Sequence, residues 1–351
     1  MSRVKVSDLK RFAVRSLVKV GMTGKKAGIV AETLVTTDMF GVMTHGTKNL
    51  CQYMQKMQAG GLDINAEPTV VAQGPSWAIV DGCNGIGMVT SDYAMRLAVK
   101  KAKKTGIAYV GVKNSCHFGA AGYYANIAAR QGLLGLSMSN ADPIMTVPNA
   151  AKPSLGTNPF SFAAPLKNGK TVFLDIALSN VAALKVIMAK EKGLSIPDTW
   201  LVDEFGEPTT DASKFPSSAS LQPMGAHKGY GLAFLVEILT SIMTGAGIMR
   251  EVASWNLDMS SKNGAGHAFI AVDISKMMPY EEFEDRMENA VTQLKNTPLA
   301  KNATCVYLPG EIEWKKFDRA NETDEIEVTD AMVKEYEKLS AMTGIRLKIS
   351  K

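Results

Sequence analysis

The chain has 351 residues, 46% of them hydrophobic and 21% charged, which suits one large domain or two lobes sharing a core. A formal charge of +5, with no basic run denser than Lys100, Lys101, Lys103 and Lys104, is no nucleic-acid footprint. Four scattered cysteines (Cys51, Cys83, Cys116 and Cys305) form neither a disulfide framework nor a thiolate zinc site. No apolar stretch is long enough to span a membrane, and no signal-type leader opens the chain, so the cytoplasm is the expected compartment.

In chain order, Ser7 is placed to cap a helix with Leu9, Phe12, Ala13, Leu17 and Val20 at helical spacing, ended by Gly21. A second helix starts near Thr23 and ends near residues 39–41. From Trp77 onward strands and helices alternate. Strands are expected at 78–80, 107–112, 133–138, 160–164, 172–176 and 268–272. Helices are expected at 89–102, 120–130, 180–190, 229–243, 280–294 and 329–342. This alternation predicts an α/β fold.

The usual dinucleotide signature, GxGxxG between a strand and a helix, is absent. Gly82, Gly85 and Gly87 follow a strand in a different order and read best as a tight turn. No Walker A, GxSxG or HExxH sequence occurs, so no metal site is expected. What stands out is the company the four histidines keep. His45, His117, His227 and His267 each lie beside glycine or small polar residues, unlike a histidine on an apolar helix face. Glycine lets backbone or ligand approach closely, and histidine moves protons near neutral pH.

The residues 38–46 (DMFGVMTHG), 115–124 (SCHFGAAGYY), 156–159 (GTNP), 175–179 (DIALS), 195–200 (SIPDTW), 228–231 (KGYG) and 264–267 (GAGH) occur in one order along the chain. In these landmarks the chain resembles the malate/L-lactate dehydrogenase family of the type lacking a Rossmann fold, which includes ureidoglycolate dehydrogenase. The resemblance implies a non-Rossmann NAD(P)-binding α/β fold. Residues 76–295 would form the central cofactor- and substrate-binding domain, and 1–75 plus 296–351 a helical, dimerising lobe. It implies a homodimer using NAD or NADP to interconvert a small, anionic 2-oxo acid and its 2-hydroxy acid. His117 would be the proton donor and acceptor, supported by His45 and Thr44. Asp175, Ala177, Lys228, Gly119, Gly122 and Asn158 would bind the cofactor. The substrate side would be Asn49, Tyr53 and Lys48. A cyclic imine reductase of the same family and a non-catalytic nucleotide binder are the alternatives; the presence of His45, His117 and Lys228 together argues against the latter.

One position departs from the pattern. Many relatives carry a carboxylate-clamping arginine three residues after the glycine of the Ser-His-Gly motif; here that residue is Asn49. Arginine offers a charged, bidentate fork and asparagine a neutral amide. The difference in net hydrogen-bond strength is on the order of 1 kcal/mol. Either Lys48 supplies the missing charge or the substrate is not a plain 2-oxo carboxylate.

Overall fold

The computed structural model describes residues 2–350. Strand β1 (Ser2–Lys5) leads into helices α1 (Val6–Lys19) and α2 (Gly24–Met39). In α1, Leu9, Phe12, Ala13 and Leu17 are buried, as their spacing requires. Thr23 caps α2 by accepting the Lys26 N–H. Ser7 does not cap α1. It lies inside that helix, and its backbone N–H and hydroxyl donate to the Asp324 carboxylate at 3.0 and 2.7 Å. A distant acid on the returning chain thus replaces the local cap. After a 3-10 turn (Thr47–Asn49) comes α3 (Leu50–Gln58).

The sheet-forming part runs β2 (Thr69–Gln73), β3 (Trp77–Asp81), α4 (Gly87–Thr105), β4 (Ile107–Ser115), α5 (Ala121–Ala129), β5 (Leu133–Ser139), β6 (Phe160–Pro165) and β7 (Thr171–Ile176). Helix α6 (Ala183–Glu191) and a small sheet of β8 (Leu201–Asp203), β9 (Pro208–Thr209) and β10 (Ala219–Leu221) follow. Helix α7 (His227–Glu237) passes into a π-helical turn (Ile238–Ile242), so the single helix expected over 229–243 changes its winding part-way. Last come β11 (Ala265–Asp273), α8 (Tyr280–Lys295), α9 (Glu311–Thr323), β12 (Glu325–Val328) and α10 (Asp330–Thr343). No helix among the described residues is long and apolar enough to cross a membrane.

Seven strands form the main sheet in the order β2-β3-β4-β11-β5-β6-β7. Only β3 and β4 pair in parallel, with α4 as the crossover; every other pairing in the sheet is antiparallel. The late strand β11 lies between β4 and β5, and its residues are almost all buried. This is a mixed sheet, not the parallel, doubly wound one of a Rossmann domain. A helical core of α1, α2, α3 and α10 packs Leu9, Leu34, Tyr53, Met54, Tyr336 and Leu339 together. The antiparallel pairing of β1 with β12 closes the chain on itself.

The Gly82–Gly87 run is a turn: Asn84 N–H donates to the Asn114 carbonyl and Gly85 N–H to that of Gly82. Gly87 then starts α4 directly behind the loop that follows β4. A Cβ at Gly87 would lie 2.1 Å from the Cys116 carbonyl oxygen and 2.6 Å from that of His117. Gly87→Ala is therefore expected to cost about 1–3 kcal/mol through overpacking. The measurement is the urea midpoint, which should fall with an unchanged m-value; an unmoved midpoint would contradict the contact.

Candidate active site

Two short loops, one after α2 and one after β4, bring His45 and His117 together with ring centroids 5.6 Å apart. Gly119 turns the second loop. It has φ +82°, and a Cβ there would stand 3.6 Å from the His45 carbonyl oxygen. The other two histidines do not join them. His267 is fully buried and both its ring nitrogens are bonded, to the hydroxyls of Ser139 and Ser115 at 2.9 Å each. His227 is exposed at the first residue of α7.

Each of the paired histidines is held at Nδ1 by a neighbouring hydroxyl. The Tyr53 hydroxyl lies 2.5 Å from His117 Nδ1, and the Thr44 hydroxyl lies 2.7 Å from His45 Nδ1. Neither Nε2 has a protein partner among the described residues. Burial pushes the pKa of His45 down. Burial first, then the nearby His45 and His267, pushes that of His117 well below its ordinary value. Burial holds Tyr53 well above the usual phenol range, so it remains a hydroxyl. It also raises the Cys116 thiol to about 12, which keeps this neighbour of His117 unreactive.

Beneath the first loop lies Asp38, at the end of α2. Its Oδ2 accepts the Thr47 N–H at 3.0 Å and the Thr47 hydroxyl, which also meets the Tyr336 hydroxyl at 2.7 Å. A Cβ at Gly46 would collide with Asp38 Oδ1 at 1.8 Å, so glycine is required there. Asp38 Oδ1 is buried without a hydrogen-bond partner. Burial raises this carboxyl to about 7, against the two Thr47 hydrogen bonds.

Of the residues expected on the substrate side, Tyr53 backs His117 as described. Asn49 is buried and its amide N–H donates to the Thr44 carbonyl at 2.9 Å, so it braces the His45 loop. Lys48, next to it on the 3-10 turn, is half-buried. The expected cofactor residues fall into two groups. Gly122, in the first turn of α5, donates its N–H to Asp175 Oδ2 at 2.7 Å, and a Cβ there would sit 2.9 Å from the same oxygen. The two line a cavity of about 230 Å³ with Ala120, Tyr123, Phe173 and Glu313. Burial raises Asp175 to about 6. Ala177 continues the same strand end. The Pro223–Gly229 turn runs alongside it: Met224 N–H donates to Leu178 at 2.8 Å. Lys228 is exposed just beyond, near the N-terminus of α7. Asn158 stands apart. It is fully buried, its amide donating to the Ala233 carbonyl and to Glu237 Oε2 while its oxygen accepts the Ala141 N–H. Its side chain shapes the loop and does not face the cavity.

Two side chains at the site have no landmark in the sequence. The Trp255 ring stacks on His117 with centroids 4.2 Å apart at 10°, and on Tyr53 at 5.1 Å and 27°. The segment carrying it is anchored by Lys56, a fully buried lysine whose ammonium donates to the Asp258 and Ser261 carbonyls at 2.5 and 2.7 Å. Lys56 follows Tyr53 by three residues on α3, so one helical face supplies both. That i, i+3 pairing is the only trace of the arrangement in the sequence.

A sequence model of the malate/L-lactate dehydrogenase family matches residues 4–337. The chain is 36% identical over 316 residues to the malate dehydrogenase of Pyrococcus abyssi, covering 88% of this chain and 86% of that one. Its fold is similar to that of sulfolactate dehydrogenase from Methanocaldococcus jannaschii, with a TM-score of 0.90, 31% identity and 98% of each chain covered. It is similar also to the delta1-piperideine-2-carboxylate reductase of Pseudomonas syringae pathovar tomato, with a TM-score of 0.86 and 28% identity over 97% of this chain and 100% of that one.

The raised pKa of Asp38 has a consequence for stability. Between about 4 and about 7 the folded protein keeps a proton there that the unfolded chain has lost, so Asp38 lowers stability as pH rises through this window. Asp38→Asn removes that titration. The melting temperature of the variant, measured against the parent chain, should therefore gain with pH from 4 to 7 and level off above; a gap independent of pH would contradict it.

Proposed function

Because the chain belongs to the malate/L-lactate dehydrogenase family, we propose that it interconverts a small 2-oxo acid and its 2-hydroxy acid with NAD or NADP, His117 carrying the proton. The observation that carries this reading is the His117–His45 pair, each ring held at Nδ1 by a hydroxyl and free at Nε2. NADH or NADPH, when bound, supplies the hydride. The developing alkoxide needs a proton, and protonated His117 gives it from Nε2. The Tyr53 hydroxyl serves both charge states, since it accepts from Nδ1–H in the imidazolium and in the neutral ring left when Nε2 has given its proton. In oxidation, neutral His117 takes the proton back. Help of this kind is worth roughly 10²–10⁴ in rate. His45, braced by Thr44, is placed to polarise the same oxygen.

The α5 start fits the cofactor's polar parts. Gly122, lacking a Cβ, lets the Asp175 carboxylate come close to the first turn of α5, and only one of the Asp175 oxygens takes a hydrogen bond among the described residues. The other is available to a ribose hydroxyl. Lys228 adds a cation, and the first turn of α5 adds backbone N–H groups toward phosphate.

On the substrate side Asn49 spends its amide on Thr44, so the positive charge for a carboxylate falls to Lys48. This arrangement also admits the second reading, an imine acceptor, which needs the same hydride and the same proton. A panel of 2-oxo acids and cyclic imines, followed by NADH and NADPH absorbance, separates the two. His117→Ala should cut turnover at least a hundredfold while cofactor still binds. Near-normal turnover in that variant would sink the assignment.

The family reading includes a homodimer, supported by the outer face of α7 and its π-turn. Leu232, Phe234, Leu235, Ile242 and Met243 are exposed there, an apolar patch of the kind monomers seldom leave open. This patch belongs to the central part of the chain, not to the terminal helices. Light scattering should give twice the 37.7 kDa chain mass, and Leu235→Glu should return it to one; a parent chain of single mass would overturn the dimer.

A further inference from the structure

The His117 surroundings pose an electrostatic problem. His45 faces it from the loop before α3, His267 from β11, and Tyr53 from α3. Lys56 on α3 and Asp142 after β5 bear on the adjoining Cys116. The titratable groups that bear on the ring are two histidines and a phenol. No carboxylate contributes to its titration, although an acidic partner is the common way to keep a working imidazole charged. What does lie against His117 is an indole. Trp255 is parallel to the imidazole within 10° at 4.2 Å, the spacing at which the negative face of a tryptophan attracts a cation.

We propose that Trp255 is a positioning residue for His117: its indole face holds the imidazole in plane against Tyr53 and favours the protonated form in place of a carboxylate. The inference deepens the proton-transfer role of His117 and rests on that reading. Three further observations support it. The Trp255 segment is tied down by the buried Lys56 ammonium on two backbone carbonyls, so the indole is held and not merely resting there. It is closed at its base, where Ala253 N–H donates to the Asn263 carbonyl at 3.0 Å and Asn263 donates back to the Ala253 carbonyl. Ser254, beside the indole, donates its hydroxyl to Asn256 Oδ1 at 3.0 Å, which fixes the backbone on either side of Trp255. Stacking of this kind adds no charge and leaves Nε2 open. A carboxylate in the same place would repel an anionic substrate, whereas the indole supports the imidazolium without that penalty.

The test reads His117 directly. The four histidine Cε1–H signals are followed by NMR against pH, that of His117 being assigned by its loss in His117→Asn. Trp255→Leu should lower the His117 pKa by about half a unit to one and a half units, and Trp255→Phe should lower it less. Lys56→Met, which releases the segment, should shift it in the same direction. In the reducing direction the basic limb of the kcat/KM profile should move to lower pH by the same amount. Circular dichroism checks that each variant is folded, and Trp255→Phe keeps a ring in place should the leucine variant unfold. A His117 signal that titrates identically in the parent chain and the Trp255 variants, or nowhere in the folded range, overturns the proposal. That outcome leaves the proton-transfer role standing if His117→Ala is inactive; an active His117→Ala removes that role whatever the NMR result.

Discussion

Two partly buried imidazoles lie ring to ring, with no carboxylate hydrogen-bonded to either among the described residues, and the rest of the site follows from that constraint. Burial opposes a proton on both rings, and on His117 the nearby His45 and His267 oppose it further. In the role proposed for His117, an anionic substrate bound beside the rings would offset that cost and link protonation of the acid to the arrival of its substrate. The hydroxyls of Tyr53 and Thr44 fit this use, since a hydroxyl follows the proton in either direction while an acid would fix it.

Helices α2 and α3 and strand β4 together hold the pair in register. Helix α2 ends on Asp38, which fastens the Thr47 end of the first loop. Strand β4 delivers the second loop, and the start of α4 packs against its carbonyls through Gly87. Helix α3 supplies Tyr53 and, one turn on, Lys56. The same scaffold, at a TM-score of 0.90 and 31% identity, underlies a sulfolactate dehydrogenase.

Much of this was legible in the sequence, for definable reasons. Periodic apolar residues marked α1, α2, α4 and α5, and glycine beside histidine marked the two loops that meet. Other features rest on contacts between residues far apart in the chain, which local pattern does not encode. Ser7 looked like a cap because its type and position suit one, but Asp324 takes its hydrogen bonds from the other end of the chain. The contact of the Tyr53 hydroxyl with His117 has no local sign in the sequence either, since the two lie 64 residues apart. Asn158 belongs to a loop suggestive of cofactor, but its amide is wholly consumed by Glu237 and two backbone groups. Trp255 sits in an irregular segment with no periodicity, and only the buried Lys56 three residues after Tyr53 hinted at what holds it. The strand pairing was least accessible: alternating strands and helices look the same whether their sheet is parallel or, as here, mostly antiparallel.

The position of β11 carries a consequence for how the protein comes into being. Strands β2 to β4 and strands β5 to β7 are two separate ladders until residues 265–273 arrive to bridge them. During synthesis more than three-quarters of the chain must emerge before the sheet can become continuous. Until then the inner edges of β4 and β5, in each of which more than half the residues are buried in the finished fold, stay open to other strands. Bridging them demands contacts across well over a hundred residues, the kind of topology that folds slowly. The cell must therefore shelter two exposed sheet edges for as long as the ribosome takes to deliver the strand that covers both.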